Sequence, residues 1–419
     1  MTDGARPPRL RDDRDFRLDW ASRSVSLGGS IITLVAMPVL VYRLTGSTAL
    51  TALTATLDAL PYLLVGLVAG ALSDRWDRKR VMVSADLANV VVLGSVPLAH
   101  WLGVLSVVHV LVAGFVAQTL FTFFDGANFG ALPVLVGRDQ VGAANAAVWG
   151  VGGVLDLTVP ALAGVSLAVL HPANLLAVDA LTFLVSALLV RSIGRALSSD
   201  RSHLPPLRPG VLLADVREGV RFLWRHDGVR ANTIIGTLQS VAGAGCIALF
   251  VPWSDQVLQI GTSGWRFGLL YAVWGVGGVV ASAASPRLLR VATPARLTLL
   301  AIPVSGLAGL AVALTTSWVV ATLLMVVWGV AYQLVIITSI TFRQQVTPEH
   351  LLGRVNTAGR MLSWGLGWTL GSVAAGALAE RVGVRPALIA MVSVGIAAAA
   401  YAWASPLRRP EVQAVEVAS

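Results

Sequence analysis

Residues 70–80, GALSDRWDRKR, hold six charged side chains between Asp74 and Arg80, while the flanking stretches ALPYLLVGLVAG and VMVSADLANVVVLG are almost wholly apolar. A bilayer-crossing helix needs about 20 predominantly apolar residues. The stretch therefore reads as a charged turn at a membrane surface between two crossing helices. The whole chain repeats that pattern. Of its 419 residues, 56% are hydrophobic and 13% are charged, against roughly 25% charged in a soluble domain. The net charge of +9 would point to nucleic acid in a soluble protein. Here the basic residues fall in short clusters between apolar runs, as in proteins oriented by the anionic cytoplasmic leaflet, and no nucleic-acid partner is expected.

Twelve apolar runs follow one another, near 20–42, 49–72, 81–102, 104–126, 143–170, 173–193, 231–252, 265–288, 297–315, 318–341, 357–379 and 385–405. The charged opening, MTDGARPPRLRDDRDFRLDW, leads into an uncleaved first span, since no small-residue cleavage site follows it. With the N-terminus inside, the inner segments collect Arg6 to Arg17, Arg75 to Arg80, Arg138, Arg191 to Arg230, Arg287 to Arg296, Arg343, Arg354, Arg408 and Arg409. The outer edges hold only Arg43, Arg266, Arg381 and Arg385. That asymmetry predicts cytoplasmic termini.

The longest connection, 194–230, divides the spans six and six. It begins as a linker, RALSSDRSHLPPLRPG, and continues as an amphipathic segment. Leu212, Val216, Val220 and Leu223 share one face of that segment, and Arg217, Arg221 and Arg225 share another. It suits a helix lying on headgroups or one packed between two halves. The expected organisation is a tail (1–17), a first six-helix half (18–193), the linker with its helix (194–230), a second half (231–406) and a tail (407–419). The halves echo each other: GAAN (142–145) after Asp139 resembles GRVN (353–356) after Glu349, an offset of about 211. Repeated halves are the plan of a transporter with its site between them.

The opening stretch resembles the cytoplasmic signature of the major facilitator superfamily, G-x-L-x-D-R-x-G-R-K/R, through Gly70, Leu72, Asp74, Arg75, Arg78 and Lys79. Asp77 stands where the signature has Gly. VYRLTGS (41–47), VMVSADL (81–87), ALPVLV (131–136), ANA (144–146), VDALTFLVSALL (178–189), EGVRFLWRH (218–226) and LLGRVNT (351–357) resemble its macrolide-efflux and enterobactin-exporter branch. The resemblance implies an all-α membrane protein of twelve helices in two six-helix repeats, acting as a drug:proton antiporter. It also implies that Asp74 meets the N-terminus of the eleventh span near Arg354–Thr357 when the cytoplasmic side closes. A carboxylate facing a helix N-terminus is worth about 0.3–1 kcal/mol. Asp125, at the end of span four, is placed to pair with Arg75 or Arg78.

A charge inside a span costs about 2.5–3.5 kcal/mol on insertion scales, so each needs a reason. Asp156, mid-span in GGVLDLTVPALAG, is the first proton-coupling candidate, and Asp58, upstream of Pro61, is the second. Asp86 and Asp179 sit nearer helix ends, where a structural role competes. A buried carboxyl suits proton exchange because burial disfavours its anion. Two departures weaken the antiporter pattern: span four carries no Arg, and the Gly-rich span-five signature is reduced to Pro160 and Gly164. The candidates for the substrate cavity are Arg23, Gln118, Gln239, Trp274, Trp328, Tyr332, Gln333, Trp364 and Trp368, since rings with few polar groups suit bulky lipophilic or cationic molecules. Gly365, Gly367, Gly371 and Gly376 make a small-residue packing face.

No phosphate-binding loop, H-E-x-x-H or Cys/His cluster occurs, and no cofactor or metal is expected. GTSG (261–264) echoes an intramembrane serine protease but falls in an outer loop with no helical His partner. The expectation is a monomeric, non-enzymatic exporter of a small lipophilic molecule in a bacterial inner membrane, driven by protons. A siderophore exporter is the alternative.

Overall fold

A computed structural model describes residues 10–137, 140–198 and 209–409. Within that range the side chains of Gly70, Asp74, Leu212, Val216 and a few others lie outside the described set. The chain is helical almost throughout. The first six long helices are α1 (Arg14–Thr45), α2 (Thr48–Arg75), α3 (Arg78–Trp101), α4 (Val107–Val136), α5 (Val141–Ser166) and α6 (Pro172–Arg191). After the connecting helix α7 (Pro209–Arg225) come α8 (Asp227–Gln256), α9 (Trp265–Val291), α10 (Pro294–Leu314), α11 (Trp318–Val346), α12 (Glu349–Arg360), α13 (Trp368–Val382) and α14 (Val384–Ala404).

Among the described residues, eleven helices are long and apolar enough to cross a membrane, where the sequence predicted twelve. The difference lies in the run expected at 357–379. There the chain forms α12, then a π-helical segment Met361–Gly367, then α13. Glycines at 359, 365 and 367 weaken regular α-helix, and the π register breaks one long helix into pieces.

Local chemistry sets the boundaries. Gly46 closes α1 in the left-handed conformation (φ 64°), a backbone state that favours glycine. Ser47 then opens α2 by accepting a hydrogen bond from the Leu50 N–H. Asp77 opens α3 in the same way, accepting from the Arg80 N–H at 2.9 Å. The Asp77 that departs from the signature Gly thus serves as an N-cap.

The two sets of helices pack alike. α1 and α3 pack on α6, and α2 and α3 pack on α4; α8 and α10 pack on α14, and α9 and α10 pack on α11. The sets meet through α5 against α9 and α2 against α13. These crossings are close because they are glycine-lined. A Cβ on Gly164 would sit 2.3 Å from the Gly268 Cα, and one on Gly275 would sit 2.6 Å from the Asp156 carbonyl oxygen. Helix α7 packs against α12 and α8. Leu223 is fully buried in the apolar cluster of the second half, and Glu218 pairs with Arg354. Among the described residues the helix therefore packs on the second half, not between the two halves as one of the two readings had it.

The apolar core differs between the two ends. At the Gly46 end one cluster joins both halves, running from Leu40 and Leu167 to Phe250, Trp253 and Phe267. At the Arg78 end the clusters are separate: Val81, Met82, Phe124 and Val190 in the first half, Leu223, Ile235, Phe342 and Ala402 in the second. Hydrogen bonds between halves also gather at the Gly46 end. Tyr42 Oη donates to Asp255 Oδ2 (3.0 Å) and Gln256 Nε2 donates to Tyr42 Oη (3.0 Å). Ser47 Oγ and the Ala49 N–H both donate to Glu380 Oε1 at 3.0 Å, and the Gly264 N–H donates to the Gly164 carbonyl at 2.7 Å.

Candidate functional site: a central acidic cavity

Below the closed Gly46 end lies a cavity of about 290 Å³. Its wall comes from α1, α2, α3, α4, α5 and α6, with Ile247 of α8 and Tyr271 of α9 contributed by the second half. Apolar side chains such as Leu34, Met37 and Phe121 make most of the surface. Three carboxylates, Asp58, Asp156 and Asp179, interrupt it, together with Gln118. Among the described residues, no basic side chain lines it. The structure thus brings three of the four acidic candidates to one cavity.

The three acids are held differently. Asp179 is 1% exposed and accepts hydrogen bonds from Thr33 Oγ1 (2.5 Å) and Thr182 Oγ1 (3.1 Å). A Cβ on Gly29 of α1 would fall 2.2 Å from its Oδ1, so the glycine is what lets α1 lie against this carboxylate. Asp58 is half-buried and Asp156 is exposed. A satisfied, buried Asp179 is built like a structural link, whereas Asp58 and Asp156 present their charge to the open space. Asp86 does not line the cavity; it is fully buried on α3, next to the Ser186 hydroxyl of α6.

Among the other cavity candidates, Gln118 lines the space and the rest lie elsewhere. Trp274 packs edge-on to Trp328 (5.0 Å, 89°) and against Tyr332 (5.1 Å), a cluster internal to the second half. Trp328 and Tyr332 are buried, and Gly243 abuts the Tyr332 hydroxyl. Gln239 is buried and donates to the Tyr332 carbonyl at 2.9 Å. Gln333 is half-buried on α11. Trp364 and Trp368 stack on each other at 5.6 Å.

The charged turn at 70–80 is wired into the first half. Arg78 Nη1 donates to the Gly130 carbonyl (2.8 Å) and the Leu197 carbonyl (3.5 Å), and its backbone N–H donates to Ser198 Oγ (3.0 Å). Lys79 Nζ donates to the Ile193 carbonyl (2.6 Å). A Cβ on Gly130 would sit 2.7 Å from this guanidinium and push it aside. Leu72 accepts from the Trp76 N–H through its carbonyl and so caps the end of α2, and Arg75 lines a surface groove with Trp76 and Arg80. The placements of the Gly70 and Asp74 side-chain positions lie outside the described residues. Asp125 differs from the expectation: its Oδ1 lies 3.3 Å from Arg23 Nη2, not against Arg75 or Arg78. The reason is geometric, since Arg78 turns toward the backbone carbonyls of Gly130 and Leu197 while Arg23 of α1 projects onto α4. Arg23 is thereby drawn out of the cavity lining.

Sequence reading missed Asp19 and Asn128, which complete this α1–α4 contact. Asn128 Nδ2 donates to Asp19 Oδ1 at 2.9 Å, and Arg23 donates to Asn128 Oδ1. The available signal was the spacing of Asp19 and Arg23, four residues apart on one helical face. Asp19 looked like part of the solvated tail because the first apolar run begins after it.

Comparison with known proteins fits this architecture. The sequence pattern of the family described as "Transmembrane secretion effector" matches residues 9–419. The chain is 26% identical over 378 residues to the multidrug efflux pump Tap of Mycolicibacterium fortuitum, covering 87% of this chain and 88% of that one. It is 26% identical over 235 residues to macrolide efflux protein A of Streptococcus pyogenes, 56% and 57% of the two chains. With the enterobactin exporter EntS of Citrobacter koseri it shares 27% identity over 353 residues, 83% and 81% of the two. In fold it resembles the nucleoside transporter NupG (TM-score 0.73, 12% identity, 93% of this chain and 98% of that one). It also resembles a bacterial homologue of the iron transporter ferroportin in an inward-facing state (TM-score 0.72, 15% identity, 95% and 99%). The chain is a multi-pass membrane protein and a transporter, not an enzyme, and it belongs to the transmembrane secretion effector family of the major facilitator superfamily.

Proposed function

We propose that this protein exports lipophilic organic cations from a bacterial cell by alternating access, with protons returning inward. The observation that carries the reading is the cavity: an apolar wall bearing Asp58 and Asp156, with no basic residue among the described lining residues. Such a surface attracts a cation with a greasy body and repels an anion. Protonation of the same carboxylates removes that attraction, so proton binding and substrate binding oppose each other, as exchange requires. The efflux functions named for Tap and macrolide efflux protein A support export. The enterobactin exporter relative favours the second reading, a siderophore cargo, but a catecholate anion would meet three aspartates and no cation among the described lining residues.

In this reading the termini are cytoplasmic and twelve spans cross the inner membrane, the α12–π–α13 run counting as one. The halves 18–193 and 231–406 rock as units, and the protein works as a monomer. The Gly46 end is then the outer face, and the cavity opens inward. Asp74 latches the cytoplasmic end against the start of the α12–π–α13 run in the opposite state. A membrane potential of 100 mV supplies about 2.3 kcal/mol per charge.

The test is efflux of tetraphenylphosphonium, a macrolide and a catecholate siderophore from cells lacking their main pumps, with and without a protonophore. Cation or macrolide efflux that collapses with protonophore, and in Asp58→Asn or Asp156→Asn, is the expected result. Siderophore efflux alone would replace the reading with the second one.

A further inference from the structure

The two halves build the same helix contact from different chemistry. In the second half, α8 meets α11 through Asn232 and Ser339: Asn232 Nδ2 donates to the Ser339 carbonyl (2.9 Å) and Ser339 Oγ donates to Asn232 Oδ1 (3.0 Å). Both side chains are buried and mutually satisfied, and the pair is neutral. In the first half, the corresponding contact of α1 with α4 holds Asp19, Arg23, Asp125 and Asn128. The sequence separations, 109 for Asp19 to Asn128 and 107 for Asn232 to Ser339, place the two contacts at equivalent positions of the repeat. The neutral version holds the helices together with every group paired. Charge in the first half is therefore not needed for packing, and it is costly at that depth.

The charged version is also out of balance. Two carboxylates face one guanidinium, so one negative charge remains. Asp19 is 1% exposed, and its Oδ2 is buried with no hydrogen-bond partner among the described residues. An uncompensated buried charge is expensive unless it gains a partner. The other charged or titratable groups facing the cluster are Tyr62 of α2, Asp58 one turn before it, and Arg360 of the second half. The Tyr62 hydroxyl lies within the electrostatic reach of Asp58, Asp125, Arg23 and Arg360. Nearer the tail, Asp15 is already occupied, accepting from the Gly194 and Arg195 N–H groups.

We infer that Asp19, held against α4 by Asn128 in a cluster with Arg23 and Asp125, is a second proton-binding station in the first half. Asp125, with its side chain 27% exposed, pairs with Arg23 and keeps it beside the cluster. Asp19 stores the proton. Only an O–H bond is made or broken, and one proton brings the cluster to neutrality. The station rests on the proton-antiport reading for its purpose, but its existence can be tested separately.

The experiment uses the full-length protein in lipid vesicles. Infrared difference spectra across a pH titration report the C=O band of protonated carboxyls. In parallel, proton-driven uptake of tetraphenylphosphonium is measured in the same vesicles. Asp19→Asn keeps an oxygen for Asn128 and copies the residue type at the second half's equivalent contact, so the fold has a precedent for it. The expected result is loss of part of the titrating carboxyl band in Asp19→Asn, and weaker dependence of uptake on the proton gradient in Asp19→Asn and in Asp125→Asn. A titrating band in Asp19→Asn identical to that of the unmodified protein overturns the station, and proton-driven uptake in the unmodified protein would then leave antiport standing. Band loss in Asp19→Asn with no proton-driven uptake in any form keeps the station and sinks antiport.

Discussion

The two ends of the molecule hold the halves in opposite ways. At the Gly46 end a single apolar cluster crosses from one half to the other, reinforced by single hydrogen bonds such as Tyr42 to Asp255 and Ala49 to Glu380. At the Arg78 end each half keeps its own cluster, and the strong cations Arg78 and Lys79 are spent on carbonyls within the first half. Basic side chains therefore brace the first half, while the joint between halves is left to glycine-lined contact and to hydrogen bonds, several of them onto the carboxylates Asp255 and Glu380. Even a hydrogen bond to a charged group contributes only about 1.5–3 kcal/mol net, so a joint made of a few such bonds can be broken and remade.

The largest effect should come from filling the joint. Gly164→Leu forces a side chain into the Gly268 backbone, and overpacking of this kind typically costs about 1–3 kcal/mol or more. Transport should be abolished, and cysteine pairs placed across α5 and α9 at the Gly46 end should no longer cross-link. Next comes the cavity: Asp58→Asn should remove most proton-driven transport, measured as protonophore-sensitive efflux, while expression persists. On the proposed latch, Asp74→Asn should lower the transport rate with the protein still made and folded. Gly130→Ala displaces the Arg78 guanidinium from its carbonyls. It should lower thermal stability by an amount corresponding to about 1–3 kcal/mol without changing substrate selection. The smallest effect belongs to Tyr42→Phe, which removes the hydroxyl bonded to Asp255 and Gln256. A loss of about 1.5 kcal/mol would shift the balance between open and closed forms of the Gly46 end roughly tenfold, visible as faster labelling of cysteines there.

Much of the fold was legible because membrane crossing demands long apolar runs, and the turn chemistry at Gly46, Ser47 and Asp77 follows local rules. The broken run at 349–382 was not legible. Hydropathy averages over a window and does not register a π turn, even where Gly365 and Gly367 announce a weak helix. For the site, rarity of charge inside spans pointed to Asp58, Asp156 and Asp179. Their convergence depends on how α2, α5 and α6 surround α1, which no local pattern encodes. Aromatic content misled in the opposite direction: Trp274, Trp328 and Tyr332 satisfy one another inside the second half, and a ring's count in a span does not say which side it faces. Asp125 was paired by proximity along the cytoplasmic edge with Arg75 or Arg78. Its actual partner, Arg23, comes from a helix more than a hundred residues earlier in the chain.

The central claim is that one cavity is exposed alternately to the two sides, and cysteine accessibility tests it most directly. Gln118 lines the cavity, and the single native cysteine, Cys246, is buried and replaceable by Ser. In oriented vesicles carrying Gln118→Cys in the Cys246→Ser background, a membrane-impermeant maleimide should label from the cytoplasmic side at rest. Labelling from the outer side should appear when a proton gradient is imposed. Labelling from the outer side at rest, or from one side only under every condition, would contradict the account.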